Sequence, residues 1–378
     1  MTRTSSKPII DAYLEAHPDI GRARSLHFSY YDPPRWLAFW KHRQRGVQAF
    51  YYLWQVGAVF HARRLVAQGS FDVIHHVTFG RYWSPSFLAL LDVPFVWGPI
   101  GGGEPSPVAF WSGLPLRELI REWARTLARS MAAIDPFVHM TARRASVVLP
   151  ATPETAETLL LRGKARATVV PQVAFRHEQL RSLGTLPRPA HDGLRFLSVG
   201  RAVGWKGFHL ALAAYAAADT AGTEYWLLVN GPERARLERL AARLGIADRT
   251  RFLDPLESHE DVHRLVAECD VFVHPAFHET FGTVILEAMA IGLPVICLGL
   301  GGPGLQVTPM TGFAVPATSS HDAIAGMARA MRRCASDRAR IVEMGRKAQE
   351  RVQGEFSWPK RRELLQGLYS EAARSVRP

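Results

Sequence analysis

Cysteine is scarce in this 378-residue chain. Its three residues, Cys269, Cys297 and Cys334, are widely spaced and odd in number. That excludes a disulfide framework, and no metal-ligand or redox spacing occurs, so a reducing, cytoplasmic setting is expected. The opening "MTRTSSKPII" lacks the apolar segment of a secretory signal. No apolar run reaches the roughly 18 residues that span a bilayer. The nearest, "FLALLDVPFVWGPI", is broken by Asp92, Pro94 and Pro99. The expectation is a protein that is soluble or rests on a membrane. Also missing are an internal repeat, a Gly-Lys-Ser/Thr phosphate loop, an Asp-x-Asp pair and any nucleic-acid-binding motif.

What is present is a core-forming composition. Hydrophobic residues make up 47% and charged residues 21%, which suits a globular chain of two domains. The net charge is +12. Such an excess suits an anionic partner: nucleic acid, a membrane surface or an acidic substrate. Because the arginines are spread over helical stretches and not massed into an arm, nucleic acid is not expected.

Residues 1–69 are aromatic and basic, and "RWLAFWKHRQRGVQAFYYLWQVGAVFHARRLVAQ" reads as one or two helices ending near Gly69. "FDVIHHVTF", "VPFVWGPI", "ASVVLPAT" and "ATVVPQ" read as short buried strands, with a long helical region over 116–145. Continuous apolar runs between helices imply a parallel sheet covered on both faces. "RSLGTLPRPAHDG" concentrates Pro, Gly and polar residues and reads as a linker. Beyond it strands and helices alternate: "LRFLSVG", "EYWLLVNG", "TRFLDPL", "DVFVHPA", "PVICLGL" and "GFAVP" are the strands. The expected fold class is α/β, two doubly wound parallel-sheet domains, with ligands at the carboxyl ends of the strands. The expected boundaries are 1–180, 190–355 and a terminal helix over 356–378.

Four stretches carry candidate chemistry. In "VGRAVGWKGFH", three glycines permit a tight turn, and Arg201 and Lys206 bring two cations to a helix start that already favours an anion. The plain alternative is an ordinary turn with solvated cations. In "HETFGTVILEAM", Glu279 falls in the loop after a strand. Phe281, Gly282 and Thr283 offer first-turn amides, and Glu287 lies in apolar surroundings that demand partners. A carboxylate can accept two hydroxyl hydrogen bonds, as a ribose diol requires. A helix-dipole charge plus a surface acid would explain the same two residues. "WGPIGGGEP", with Gly102 at its centre, gives a loop whose backbone can touch a ligand, or a mobile turn. "DVIHHVTF" ends in His75 and His76, where a structural histidine is the commoner outcome.

Taken in order, "VGR…WKGFH", "NGPERARLERLA", "RFLDPLESHEDVHRLVAECDVFVHPA", "HETFGTVILEAMAIGLPVI" and "GGPG…TGFAV" resemble the retaining glycosyltransferases of family 4, which have the GT-B fold. Glu279, Phe281, Gly282 and Glu287 match that family's Glu-x-Phe-Gly-x4-Glu signature. The resemblance is strong over about 195–315 and weaker over 71–175. It implies a hexosyl transfer from a nucleotide-diphosphate sugar to a saccharide or lipid-linked acceptor, with retention, no metal and no cofactor beyond the donor. Arg201 and Lys206 would neutralise the diphosphate, and Glu287 would hold the ribose. Glu279 and the Phe281–Thr283 amides would hold the sugar. The loop around Leu256 would meet the base, Gly102 would approach the donor, and His76 would contact sugar or acceptor. The alternative is a non-catalytic nucleotide-sugar-binding protein.

Two departures stand out. "PQVAF" replaces the family's usual "PNGVD". The amino terminus resembles the segment that follows the family's second strand, so the first βαβ unit is expected to be missing. Finally, Trp36, Trp40, Trp54, Arg35, Lys41, Arg43 and Arg45, with Arg117, Arg121, Trp123, Arg125 and Arg129, suggest an anionic membrane surface at the inner face of the cell membrane. Core aromatics with solvated arginines are the competing explanation.

Overall fold

The computed structural model describes residues 1–18, 26–37, 46–69, 71–77, 79–111, 114–160, 167–316 and 318–374. The first sheet is parallel and has the order β1 (Ile74–His76), β2 (Phe95–Ile100), β3 (Val147–Pro150). Every residue of β3 is buried, as the continuous apolar run requires of a strand covered on both faces. The segment expected as a further strand, "ATVVPQ", does run beside β3. Thr168 and Val170 donate to the carbonyls of Val148 and Pro150, but only an isolated bridge at Ala167 results. Pro150 has no N–H to return the next bond, so the ladder stops.

Before this sheet come helices Lys7–Ala16 and Val47–Gln68. The cluster Trp40, Lys41, Arg43 and Arg45 lies outside the described residues. The helical region expected over 116–145 is two helices, Leu116–Ile134 and Pro136–Arg144. Pro136 cannot continue a preceding helix, and the Asp135 carboxylate caps the new one by accepting from the amides of Phe137 and Val138 at 2.8 and 3.3 Å.

The second sheet has six parallel strands in the order β6-β5-β4-β7-β8-β9. They are β4 (Leu194–Arg201), β5 (Thr223–Asn230), β6 (Thr250–Leu253), β7 (Val271–His274), β8 (Val295–Leu298) and β9 (Gly312–Val315). A crossover helix follows β4, β5, β6 and β7, and apolar clusters lie on both faces of the sheet. The two halves exchange parts. Phe110, Trp111 and Leu114, from the first half, join the core of the second, with the Phe110 ring 5.3 Å from that of Phe277. In return, helix Trp358–Arg374 lays Leu364, Leu365, Leu368 and Tyr369 against Val96, Val147 and Leu149 of the first sheet. His75 ties that helix down, its Nδ1 2.6 Å from the Tyr369 hydroxyl and its Nε2 2.7 Å from the carbonyl of Gly98. Among the described residues no helix is long and apolar enough to cross a membrane.

Candidate active site

β4 starts the second sheet from its middle. The chain then builds outward on one side through β5 and β6, and returns to the other through β7. The loops after β4 and β7 therefore part at the strand ends and open a crevice, the place where open α/β sheets bind ligands. The two loops still touch at one point. Gly207 has φ 68°, and a Cβ there would collide with the Pro275 carbonyl, so only glycine fits.

Across this contact the Lys206 ammonium pairs with Glu279, and Nε2 of His274 lies 3.5 Å from the same carboxylate oxygen. Burial alone would raise the pKa of Glu279. The nearby His274 ring and the charge of Lys206 outweigh it, and hold the group at about 2. His274 is buried, and that burial pushes its own pKa below the ordinary value, leaving a neutral ring able to donate to Glu279. His278, beside them, is pushed down to about 3 by burial first and then by Arg125, Arg129 and Lys206. The result is an ionised carboxylate, a paired ammonium and two uncharged imidazoles in one wall.

Gly282 has φ 73° and caps helix Thr283–Ile291 without a side-chain hydrogen bond. The Ile285 amide turns back to the Gly282 carbonyl at 3.0 Å, and the N–H groups before it are left to a ligand or to water. Phe281 is buried under the loop. Glu287 lies one turn inside the helix, four-fifths buried, with His263 Nε2 3.8 Å away. Arg201 ends β4 with its side chain exposed, and Leu256 is exposed in the loop after β6.

The opposite wall comes from the glycine-rich loop after β2. Glu104, which sequence reasoning quoted only as part of that loop, is its organising residue. It is 2% exposed and its carboxylate accepts from the Gly102 amide (2.9 Å), Thr152 (2.8 Å), Thr155 (3.1 Å) and Thr280 (3.1 Å). Thr280 belongs to the second half and is the chain neighbour of Glu279, so this buried acid joins the two walls. The only sequence signal for it was an acid closing a run of glycines. A Cβ at Gly101 would collide with Thr280 Cγ2, which is why the loop comes this close. Between the walls is a cleft of about 830 Å³, lined by Gly80, Arg81, Trp83, Gly101 and Gly102 on one side and His278 and Thr280 on the other.

Of the expected site residues, Lys206 and Glu279 pair, with Gly282 against the Glu279 side chain, and Gly102 lines the cleft itself. Thr283 and Glu287 follow on the same helix. His76 stands apart. It is 7% exposed, its Nε2 is 3.3 Å from the Tyr51 hydroxyl, and it lines a separate cavity of about 330 Å³ with Trp54 and Leu88. Among the described residues no group of three or more His, Cys, Asp or Glu side chains is arranged to hold a metal ion.

Comparison with known proteins places the second half. Residues 187–348 match the family Glycosyl transferases group 1. The second half of the chain is therefore similar to a glycosyl transferases group 1 domain. The lipopolysaccharide core biosynthesis glycosyltransferase LpsE of Rhizobium meliloti is 34% identical over 173 residues, covering 46% of this chain and 48% of that protein. A D-inositol 3-phosphate glycosyltransferase of Salinispora tropica is 36% identical over 153 residues, 39% of this chain and 30% of that protein. The match thus spans half or less of the length of these relatives. Among solved structures, sucrose-phosphate synthase from Thermosynechococcus elongatus has a TM-score of 0.59 at 21% identity, covering 92% of this chain and 81% of that one. Anabaena HepE in complex with UDP has a TM-score of 0.60 at 18% identity, covering 84% and 82%. These likenesses show the fold: the region matching that family is one of two parallel-sheet domains in a GT-B arrangement about a cleft.

Proposed function

We propose that the protein is a retaining glycosyltransferase. It would move a hexosyl group from a nucleotide-diphosphate sugar to a hydroxyl oxygen of a saccharide or lipid-linked acceptor, without a metal ion. The observation that carries this reading is the Glu279–Lys206 pair at the strand-end crevice of the second sheet, with Glu279 flanked in sequence by His278 and Thr280, which line the cleft opposite the glycine-rich loop. Glu279 and the Phe281–Thr283 amides bind the donor sugar. Lys206 and Arg201 stand at the end of β4, where the diphosphate charge would lie. These cations and the helix start would stabilise the leaving group, the task a metal performs elsewhere. Glu287 accepts the two ribose hydroxyls, backbone near Leu256 meets the base, and Gly102 lets the opposite wall approach. In the reaction the anomeric carbon–oxygen bond to the diphosphate breaks, and the acceptor oxygen bonds to the same face. Its proton passes to the departing diphosphate. His76, in its separate cavity, takes no part in this step. An acceptor on a lipid, as the name of the Rhizobium relative suggests, would be met at the inner face of the cell membrane.

The test starts from a thermal-shift screen against UDP-, GDP- and ADP-hexoses, because a ligand that binds only the native state raises Tm. The stabilising donor is then assayed for transfer and hydrolysis. Glu279→Gln should lower turnover by roughly a hundredfold while the protein stays folded at assay temperature. Donor binding with neither transfer nor hydrolysis would leave a nucleotide-sugar-binding protein instead.

A further inference from the structure

Helix Leu116–Ile134 is built inside out. Its apolar residues Leu116, Ile120, Trp123, Leu127, Met131 and Ile134 recur at steps of four and three, so they share one face. That face points to solvent, with exposures from 59% at Ile120 to 81% at Ile134. Its two acids point inward: Glu118 is 3% and Glu122 1% exposed, paired with Arg121 and Arg125. An ordinary surface helix does the reverse. At about 1.5 Å per residue the stripe runs roughly 27 Å, far more continuous than the scattered apolar residues a protein surface tolerates.

We infer that this face docks on an anionic lipid bilayer. Charge selects that occupant. The outward side of the helix presents apolar side chains and the exposed cation Arg117, and both of its carboxylates are buried and ion-paired to Arg121 and Arg125. Arg143 and Arg144 are exposed on the next helix, which also exposes Phe137. An apolar stripe edged by cations, with an exposed tryptophan, is the pattern of a helix lying in a membrane interface. The inward side of the same helix reaches the cleft. The Arg125 guanidinium stacks 5.0 Å over Trp205, in the loop that carries Lys206, Arg129 donates to the Glu104 carbonyl, and Arg125 and Ala128 line the cleft. Docking therefore seats the wall of the cleft on the bilayer, where a lipid-linked hydroxyl could enter without leaving the interface.

The experiment is flotation of the full chain with vesicles of neutral lipid alone and of neutral lipid with anionic phosphatidylglycerol. The parent should float with the anionic vesicles and remain behind with the neutral ones, and raising the salt should weaken binding. The double variant Ile120→Gln, Leu127→Gln changes two exposed side chains, so folding should be unaffected. It should bind at least roughly tenfold more weakly while its thermal shift with the donor is unchanged. Arg117→Glu with Arg143→Glu should abolish the preference for anionic lipid. Three outcomes would each overturn the inference: equal flotation with both vesicle types, a double variant that binds like the parent, or a parent that forms a dimer which the double variant breaks while neither binds vesicles. The vesicle readout needs no donor or turnover, so it stands or falls separately from the proposed reaction.

Discussion

Replacing Glu279 with glutamine removes one charge and keeps the shape, which isolates the electrostatics of the site. The fold holds this carboxyl at about 2 against an ordinary 4.5. At 1.36 kcal/mol per pKa unit, its ionised form is favoured by roughly 3 kcal/mol. The side chain is 20% exposed, so little of this is lost to solvent screening. Glutamine forfeits that stabilisation and leaves Lys206 half-buried without its partner. For a domain of this size, a loss of roughly 3 kcal/mol lowers Tm by about 6–12 °C. The sign follows from the depressed pKa. The advantage of the parent over the variant is fully present above about pH 4.5, falls below half near pH 3, and vanishes as the pH drops through about 2. Thermal melts of both proteins at pH 7 and in a series down to pH 3 measure it. Adding Lys206→Met to the variant should recover part of the loss, since removing both charges costs less than orphaning one. Equal melting of parent and variant at pH 7, or a difference that does not shrink with falling pH, would refute the reasoning.

Arg201→Ala and Lys206→Ala should each weaken nucleoside-diphosphate binding by roughly tenfold or more, the value of one charge-assisted contact; titration calorimetry with the donor found above reads this, and unchanged affinity in both would make them solvated cations. Transfer should survive EDTA, and a strict need for Mg²⁺ or Mn²⁺ in a rate assay would count against the proposed leaving-group stabilisation. Gly101→Ala puts a methyl where Thr280 already stands. It should reduce turnover while leaving calorimetric affinity for the nucleoside diphosphate within about twofold, because the clash lies where the two walls meet and not at Arg201 or Lys206; a matching loss of nucleotide affinity would argue against that division.

The βα rhythm of residues 194–315 was legible because each strand is a short apolar run followed by a glycine- or proline-bearing loop, and such runs have one stable arrangement, a parallel sheet between helices. The positions of Lys206, Glu279, Gly282 and Glu287 followed from the same rhythm, since each falls just past a strand or in the first turns of the helix after it. The short strand expected at 167–172 was not formed as a ladder, because an apolar run does not reveal that Pro150 in the neighbouring strand lacks the donor it needs. The first half was harder to read for a related reason. Its pieces complete surfaces formed by distant segments: Phe110 and Leu114 enter the second core, and Tyr369 reaches back to His75.

Sequence by itself thus determined the architecture of the second half and which loops could meet a ligand, since both depend on local periodicity and on residues near in the chain. Tertiary structure alone decided three things. It brought Lys206 to Glu279, 73 residues away. It made Glu104 the joint between the walls through Thr280, 176 residues away. It also turned helix Leu116–Ile134 with its acids inward. Periodicity reports that a helix has two faces, but which face meets the protein depends on what the rest of the chain sets against it, and here that is a charged cleft wall and not an apolar core.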